Sequence, residues 1–352
     1  MGRSVDEPIA YLGGRWARDL VEVSDDPEVL DRSGRWAVVL PYQGRPILLR
    51  FARWQVDPPS DRADLDLRSW SGPPVQSWQS SVSQEGYLQA VNSTREAIAV
   101  GTIYQANICR ILAAEMTSST TSMAGLHARL AAGNPAPYGG FISAPEIGVE
   151  LATASPELFL EREGDLLRTG PIKGTASTED LLLPKDWAEN VMIVDLMRND
   201  LGRICQTGTV TVPALTMVER HPGLVHLVSR VEGMLTGSTT WSAIIESTFP
   251  PGSVTGAPKS AALRVIEDLE AASREIYCGA VGWVDADRQQ ACLAVAIRTF
   301  WYRDGLLRFG TGAGITWDSD PEQEWRETQL KARHLIAVAA GADGAAMAGF
   351  DV

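Results

Sequence analysis

Two strand-like runs joined by Asp304-Gly305 constrain the fold of this chain more than any other feature. Both runs are apolar and partly aromatic, and an Asp-Gly pair between such runs favours a two-residue type I′ hairpin. This turn places Arg303 opposite Leu306 and, further along the ladder, Arg298 opposite Thr311. The sequence therefore predicts antiparallel strands in which a cation lies beside the glycine-rich segment of the second strand.

The composition is that of a soluble globular protein with a large core. Of 352 residues, 45% are hydrophobic and 21% are charged, and the formal net charge is -13. A nucleic-acid surface needs a basic face, which this balance disfavours. The N-terminus lacks an apolar signal core, and no run of about 18 apolar residues occurs. We therefore expect a cytoplasmic protein that binds neither nucleic acid nor membrane.

The cysteines and histidines give no sign of a metal or redox site. The four cysteines are widely spaced without a C-x-x-C pair, so we expect reduced thiols. The four histidines lack metal-ligand spacing. Only His226, between apolar residues, is assigned to a pocket, and the other three are predicted to be ordinary surface or core histidines.

A Pro-, Ser- and Asp-rich segment at Asp57–Gln84 has no helical or strand periodicity and predicts a linker. Before it, Trp36–Pro41 and Pro46–Phe51 are typical of two strands joined by a turn. We therefore divide the chain into a short N-terminal segment that contributes strands, residues 1–83, and a catalytic domain, residues 84–345.

A helix start is indicated by Ser319–Glu322, which combines a capping residue, a first-turn proline and an early acid. The helix should run to about Ala340. Within it, Glu324, Glu327 and Lys331 are three and four residues apart and share one face. Two carboxylates on one face could hold a hard cation, although a solvated acidic surface is the alternative.

A second helix is predicted at residues 185–200, because apolar residues at 191, 194, 197 and 201 form one stripe that should be buried. This helix carries Glu189. With Glu324 and Glu327 it could supply carboxylate oxygens to Mg²⁺, which usually keeps waters and takes further ligands from an anionic substrate. From the local sequence alone, a surface acid is the better interpretation.

The glycine-rich segment at residues 310–314 could cradle an anion with its backbone N–H groups. Taken alone it is a weak signal, and a simple glycine turn is the alternative. It lacks the Lys-Ser/Thr ending of a phosphate-binding loop, so a nucleotide site is not favoured.

Two further residues could carry chemistry. Lys173 lies between Gly170 and Gly174, so its amine could approach a ligand and act as a nucleophile. Glu157 follows a proline at the start of a strand-like run and could be a general acid. The alternatives are a surface lysine in a turn and an exposed carboxylate at the end of a strand.

Together these motifs resemble the chorismate-utilising enzymes, the family of the anthranilate, aminodeoxychorismate, isochorismate and salicylate synthases. The resemblance covers about residues 84–340. It is carried by Gly101–Asn107, Ser155–Glu157, Pro171–Thr175, Ala188–Gly202, Phe249–Lys259, Tyr277–Gly282, Ala296–Arg298 and Gly312–Ile315.

The resemblance implies an α+β fold in which two antiparallel β-sheets pack as a sandwich with helices on the outside. Chorismate would bind in the cleft between the sheets together with Mg²⁺. It implies Glu189 and Glu327 as metal ligands, with Glu324 reaching the ion directly or through water. The implied substrate-binding residues are Gln105, Thr175, His226, Tyr277, Arg298, Gly312, Ala313, Gly314 and Lys331.

Two positions indicate which family member the chain is most similar to. Family enzymes that add water to chorismate have a lysine at the position of Gln105, whereas a glutamine is no base and points to ammonia. Anthranilate synthases have alanine at the position of Lys173, whereas aminodeoxychorismate synthases share the Pro-Ile-Lys-Gly-Thr motif. The resemblance therefore implies the large component of an aminodeoxychorismate synthase in 4-aminobenzoate and folate synthesis.

In such an enzyme Lys173 would form a covalent adduct with chorismate while Glu157 acts as the acid. None of the four cysteines lies in a Gly-x-Cys-x-Gly motif, so ammonia would come from a separate glutamine amidotransferase. Anthranilate synthase, or another ammonia-using chorismate enzyme, is the alternative from the same fold. A chorismate-binding subunit without activity is a further alternative.

Overall fold

The computed structural model of the protein describes residues 7–58, 70–116, 122–176, 178–182, 184–221 and 224–341. Along these residues, runs of consecutive strands are separated by α-helices. The helices are α1 (Gln84–Ala99), α2 (Met123–Gly133), α3 (Pro184–Gly202), α4 (Trp241–Thr248), α5 (Lys259–Leu269) and α6 (Pro321–Ala340). None of the helices in these ranges is long and apolar enough to cross a membrane.

The strands in the N-terminal half are β1 (Ile9–Leu12), β2 (Arg15–Ser24), β3 (Arg35–Leu40), β4 (Ile47–Gln55), β5 (Gln79–Ser80), β6 (Gln105–Glu115), β7 (Tyr138–Ala144), β8 (Val149–Ser155), β9 (Leu158–Glu163), β10 (Leu166–Gly170) and β11 (Ile172–Ala176). Those in the C-terminal half are β12 (Thr211–His221), β13 (Leu224–Met234), β14 (Gly256–Ala257), β15 (Ala280–Asp285), β16 (Gln290–Val295), β17 (Thr299–Arg303) and β18 (Leu306–Ile315).

The strands form one continuous, curled antiparallel network. From one end, β6 pairs with β5 and β14, and the ladder continues through β18, β17, β8, β7, β1, β2, β4, β3, β15 and β16. It ends with β9, β10 and β13, and β13 also pairs with β11 and β12. The predicted combination of antiparallel strands and helices is confirmed. Its division into two packed sheets stays a prediction.

The apolar side chains gather in two main clusters. One joins β3, β4, β15 and β16 to α3 and α4, and the other joins β6, β17 and β18 to α2 and α6. Helices α1, α5 and α6 pack against β6 or β18, and α3 packs against β13. The acidic helices α3 and α6 are thereby fixed to opposite parts of the ladder.

The N-terminal strands are inserted in the middle of the network. β1 pairs with β7, and β3 pairs with β15, so strands β1–β4 connect the two halves. The predicted pair of strands is confirmed as β3 and β4, which pair directly. The N-terminal segment is therefore part of the sheet that carries the rest of the chain.

The predicted linker must be corrected in its second half. Residues 59–69 lie outside the described residues, but Trp70, Val75 and Trp78 are buried in the core beneath α2 and α6. The Trp70 indole donates to Ala339 O at 2.6 Å. The prediction failed here because the many prolines and serines are typical of a linker, although three apolar side chains of the same segment are buried in the core.

The β17–β18 hairpin has the predicted register, with Arg303 opposite Leu306 and Phe300 opposite Phe309. Asp304 and Gly305 have φ values of 52° and 79°, as a type I′ turn requires. The ladder stops short of Arg298, however, because that residue has a left-handed φ of 50° and precedes the strand. Its predicted pairing with Thr311 is therefore wrong.

Both acidic helices form where the sequence predicts them. In α6, Asp320 caps the first turn by accepting a hydrogen bond from Gln323 N at 3.0 Å. In α3 the apolar stripe must be corrected at one position, because Val191 is 48% exposed. Ile193 is buried instead. The predicted thiols are confirmed as free at all four cysteines.

Candidate active site

Glu157 is fixed between β8 and β9 by its own backbone. Its N–H donates to Ser155 Oγ at 3.2 Å, and its carbonyl accepts from Val295 N at 3.0 Å. The side chain is 4% exposed, and its Oε1 lies 3.5 Å from Ile172 N. Glu157 is thus buried at the end of a strand, where the sequence had left open an exposed carboxylate.

The environment of Glu157 suits a general acid. Burial raises the pKa of its carboxyl to about 7, while the Ser253 hydroxyl and the Lys173 charge lower it to a smaller extent. A carboxyl group with a pKa near neutrality can hold a proton and release it under ordinary cellular conditions.

Lys173 lies on β11 next to this acid. Its Nζ donates to Ser253 O at 3.0 Å, and its charge acts on Glu157. The ladder with β13 shifts register between Lys173 and Thr175, and Gly174 between them has a φ of 75°. This irregularity re-aims the lysine, as bulges do next to active sites.

Gln105 connects Lys173 to the acidic helices. A Cβ built on Gly314 would lie 2.4 Å from Gln105 Nε2 and 3.6 Å from Lys173 Nζ, so all three residues meet at this point of β18. Gln105 Nε2 also lies 3.5 Å from Glu189 Oε2 on α3. Gln105 Oε1 is buried and has no partner among the described residues.

The charges of three carboxylates from the two helices act on Lys331. Its Nζ lies 2.6 Å from Glu327 Oε1. Burial lowers the pKa of Lys331, but the charges of Glu327, Glu324 and Glu189 outweigh burial and raise it. The side chain is crowded by protein and still 50% exposed. The charges of Glu189, Glu324 and Glu327 therefore act on one cation, and their role as metal ligands stays a prediction.

These carboxylates fit a divalent metal ion in their chemistry but not as a ready-made site. Carboxylate oxygens are the ligands that Mg²⁺ prefers. Glu324 is 4% exposed and accepts from Ser319 Oγ at 2.7 Å, and Glu327 is engaged by Lys331. In the described part of the chain, no three such side chains are grouped closely enough to hold an ion. Binding would require Glu327 to exchange Lys331 for the metal.

The glycine-rich segment is the last part of strand β18. It pairs with β6 along one edge, and the β17 ladder on the other edge ends before it. Gly314 and Gly312 lie opposite Asn107 and Cys109 of β6. The N–H groups of Asn107 and Cys109 donate to acceptors on the far side of β6, at 2.7 and 2.8 Å. Because bonding alternates along an antiparallel ladder, the amides of Gly312 and Gly314 face away from β6. Lys331 Nζ donates to Gly312 O at 3.1 Å from that side.

Ala313 does not share this geometry. It is fully buried opposite Ile108, and the alternation turns its amide toward β6. The predicted role of Ala313 in substrate binding stays a prediction, although its amide is paired within the sheet. The amides of the two flanking glycines face away from β6 instead.

Four predicted substrate-binding residues remain. The Tyr277 ring packs on Gly310, where a Cβ would come within 2.1 Å of it. Thr175 pairs with the buried His226 across the β11–β13 ladder, next to Lys173. Burial lowers the pKa of Arg298. Contacts of these four residues with a substrate stay predictions.

Comparison with known proteins decides the family. The family model described as chorismate binding enzyme matches residues 60–337. The chain belongs to the chorismate binding enzymes.

This chorismate binding enzyme is 38% identical over 284 residues to anthranilate synthase component 1 of Streptomyces coelicolor, covering 77% of the chain and 55% of that relative. It is 37% identical over 273 residues to anthranilate synthase component 1 of Saccharolobus solfataricus, covering 74% and 63%. The chain thus spans less than two thirds of the length of either relative.

A solved structure shows the shared fold. It is a putative 2,3-dihydroxybenzoate-specific isochorismate synthase from Bacillus anthracis, with a TM-score of 0.76 and 22% identity, covering 96% of each chain. At this identity the likeness concerns the fold alone.

Two features of this chorismate binding enzyme were missed at the sequence level. The first is Ser253, which contacts Lys173 and acts on Glu157. It occurs in a Pro-Pro-Gly-Ser loop without periodicity, so only its place in the family motif Phe249–Lys259 could have indicated a role. A separate cavity of about 540 Å³ is bordered by His127, Tyr138 and Trp283, and none of the predicted site residues lines it.

Proposed function

We propose that the chain converts chorismate and ammonia to 4-amino-4-deoxychorismate, as the large component of an aminodeoxychorismate synthase. One observation carries the proposal. The amine of Lys173 lies in the same cluster as Glu157 and Gln105, where it can reach a bound ring. A nucleophilic amine beside a buried acid is suited to a displacement through a covalent intermediate.

The substrate side of the proposal rests on local positive charge. The formal net charge of the chain is -13, so a dianion such as chorismate needs placed cations and amides. Lys331 and the amides of Gly312 and Gly314, which face away from β6, would supply these in one place. Arg298 is proposed as a further anchor for a carboxylate.

We also propose that Mg²⁺ binds between α3 and α6. Glu189, Glu324 and Glu327 would hold it, because all three act on Lys331. When bound, Mg²⁺ would neutralise a substrate carboxylate and polarise the departing C4 oxygen.

In the first step the Lys173 amine attacks C2 of chorismate, and the ring double bonds shift so that the C4–O bond breaks. Glu157 gives its proton to that oxygen, which leaves as water. The lysine nitrogen loses one proton and stays bound to C2. A pKa of about 7 lets Glu157 deliver this proton near neutral pH.

In the second step ammonia forms a bond to C4, the double bonds shift back, and the C2–N bond to Lys173 breaks. The nitrogen of ammonia loses a proton, and the lysine amine regains one. Gln105 cannot remove a proton from water as a base, which favours ammonia as the nucleophile. The side chain of chorismate is untouched, so no pyruvate is lost.

Anthranilate synthase is the second candidate, and the comparisons favour it. The relatives reported above are named anthranilate synthase component 1. In that reaction ammonia attacks C2 and pyruvate is eliminated. Lys173 argues against it, because a tethered amine near C2 would compete with free ammonia at a high effective concentration. Under either candidate we propose a glutamine amidotransferase as the ammonia-supplying partner.

The deciding experiment identifies the product. Purified protein is incubated with chorismate, Mg²⁺ and ammonium, and the products are separated and weighed by mass spectrometry. We expect 4-amino-4-deoxychorismate. Fluorescent anthranilate, formed without any added enzyme, would replace the proposal with the second candidate.

The covalent step is tested without ammonia. We expect the wild-type protein to gain the mass of chorismate minus water, and both Lys173→Ala and Lys173→Arg to gain none. Lys173→Arg is the matched control for charge, since it keeps a cation but not a nucleophilic amine. An adduct that persists in both variants would move the nucleophile to another residue.

A further inference from the structure

Ser253 contacts Lys173 and acts on the carboxyl of Glu157, the two groups to which the proposed chemistry is assigned. It lies in a short 3-10 turn, Gly252–Val254, between α4 and β14 and is 4% exposed. Its carbonyl accepts the hydrogen bond from Lys173 Nζ at 3.0 Å. Its hydroxyl acts on the carboxyl of Glu157. One residue therefore faces the amine with its backbone and the acid with its side chain.

The hydroxyl of Ser253 has no other role in the fold. Its Oγ is buried and forms no hydrogen bond of normal geometry with any described residue. The hydroxyl lowers the pKa of the Glu157 carboxyl, but it forms no hydrogen bond of normal geometry with that carboxyl. A buried hydroxyl without a partner is costly and calls for an explanation.

Hydrogen bonds fix the backbone of the turn that carries Ser253. The fully buried Arg274 donates to Val254 O at 2.8 Å. Thr255 Oγ1 bonds back to Pro251 O at 3.1 Å. A backbone fixed on both sides of Ser253 can hold its carbonyl and hydroxyl in set directions.

The same turn is tied to α3. Lys259, just after it, lies 2.6 Å from the buried Asp200 Oδ2 of α3 and donates to Thr248 O at 3.0 Å. Helix α3 also carries Glu189. The same helix therefore anchors the turn and carries a proposed metal ligand.

We propose that Ser253 is a positioning residue that holds the Lys173 amine with its carbonyl and exchanges a hydrogen bond with Glu157 through its hydroxyl as that acid gives up its proton. The assignment rests on the proposed function, because it concerns the two groups that function employs.

The chemistry follows from what each group can donate. A carboxylic acid can donate to the Ser253 oxygen, whereas a carboxylate can only accept from the Ser253 O–H. When the Glu157 proton moves to the departing oxygen, rotation of the hydroxyl supplies a donor to the new carboxylate. A donor aimed at developing charge in a buried site stabilises the transition state. The carbonyl meanwhile engages one N–H of Lys173 and leaves the nitrogen lone pair free to point at the ring.

The test is the pH profile of kcat/KM for Ser253→Ala. Of the charged groups around Glu157 in the described chain, Lys173 is the one that acts on its pKa, and the variant leaves it in place. Removing the hydroxyl should move the alkaline limb of the profile upward by about one pH unit, because one donor to a carboxylate changes its ionisation about tenfold. The maximal rate should fall by at least about tenfold.

Variants separate positioning from structure. Ser253→Thr keeps the hydroxyl and should restore the wild-type limb. Ser253→Cys keeps the volume but has a much weaker donor, so it should shift the limb if Ser253→Ala is unstable. Ser247→Ala is the matched control, since Ser247 is also buried and donates to Asp200 O, outside the cluster. It should lower the melting temperature and leave the limb unmoved.

A second readout needs no turnover. Infrared difference spectra of the carboxyl C=O band, with Glu157→Gln to assign it, follow the titration of Glu157 directly. We expect the titration in Ser253→Ala to move to higher pH by the same amount as the kinetic limb. The assignment would be overturned if Ser253→Ala and Ser253→Cys both kept the wild-type titration of Glu157 and the wild-type alkaline limb of kcat/KM. A wild-type protein that makes no 4-amino-4-deoxychorismate would instead overturn the proposed function.

Discussion

Glu157 shows at the residue scale how the proposed chemistry conflicts with stability. Its pKa rises from 4.5 to about 7 on folding, mainly because burial disfavours the charged form. The folded state therefore binds a proton that the unfolded chain has lost between these pH values. Stability falls as pH rises through this window, by up to about 1.4 kcal/mol per pH unit. At pH values above this window, the buried and ionised Glu157 lowers the free energy of unfolding by a constant amount.

We predict that Glu157→Gln is inactive but more stable than the wild type at pH 8. The gain should reach up to about 3 kcal/mol and disappear by about pH 4.5, because the wild-type carboxyl is then neutral as well. Urea unfolding at pH 4.5, 6 and 8 measures it. Glu146→Gln, at an exposed position, is the matched control and should follow the wild type at each pH. Equal stabilities of Glu157→Gln and wild type at pH 8 would contradict the burial argument.

Family motifs predicted the acid and the amine, whereas local sequence did not. Taken alone, Lys173 was more simply a surface lysine and Glu157 an exposed carboxylate. Each gains its environment from Ser253, which lies 80 residues after Lys173 in the sequence. Contacts closed by a distant loop leave no periodic pattern. Ser253 could therefore not be assigned a role before the fold was known.

At the scale of single elements, helical periodicity predicted the α6 side of the cluster. The spacing of Glu324, Glu327 and Lys331 placed them on one face, and there Glu327 pairs with Lys331 while the charge of Glu324 acts on it. The contribution of α3 required the tertiary structure, because Glu189 reaches them from another part of the sheet. Spacing describes one element, whereas convergence depends on how two elements pack.

The β17–β18 hairpin shows the same limit. Its turn and its register followed from Asp304-Gly305. Arg298 left the strand because it adopts a left-handed φ of 50°, which arginine rarely takes. Extrapolating a ladder assumes extended backbone throughout, so the position of Arg298 could not be predicted from the turn.

For α6 we predict that Glu327→Gln raises the magnesium concentration needed for half-maximal activity by at least about tenfold, since a neutral amide replaces a charged ligand. The measurement is a magnesium titration of product formation. Glu322→Gln on the first turn of the same helix is the matched control, because Glu322 is engaged by Gln84 away from Lys331. It should leave the titration unchanged. A wild-type titration in Glu327→Gln would remove that residue from the metal site.

At the scale of the whole molecule, the division at the predicted linker does not separate two folding units. Strands β1–β4 pair with β7 on one side and with β15 on the other. Without them, both neighbours would become unpaired edges in the middle of the network. The sequence predicted strands in this segment but gave no sign of their partners, because pairing over such distances is set by the complete fold.

We therefore predict that residues 1–64 and 65–352, expressed together as separate chains, assemble into one soluble complex, whereas residues 65–352 alone are insoluble. Burial of apolar strands drives the assembly, so one charge in the interface should abolish it. Val38→Lys on β3 introduces that charge at a fully buried position, and Val21→Lys on β2, at a position 51% exposed, is the matched control. Co-purification on a tag carried by residues 1–64 measures assembly. The shorter fragment must retain its partner with Val21→Lys and lose it with Val38→Lys. Residues 65–352 remaining soluble and monomeric alone would show that the catalytic half closes its own sheet.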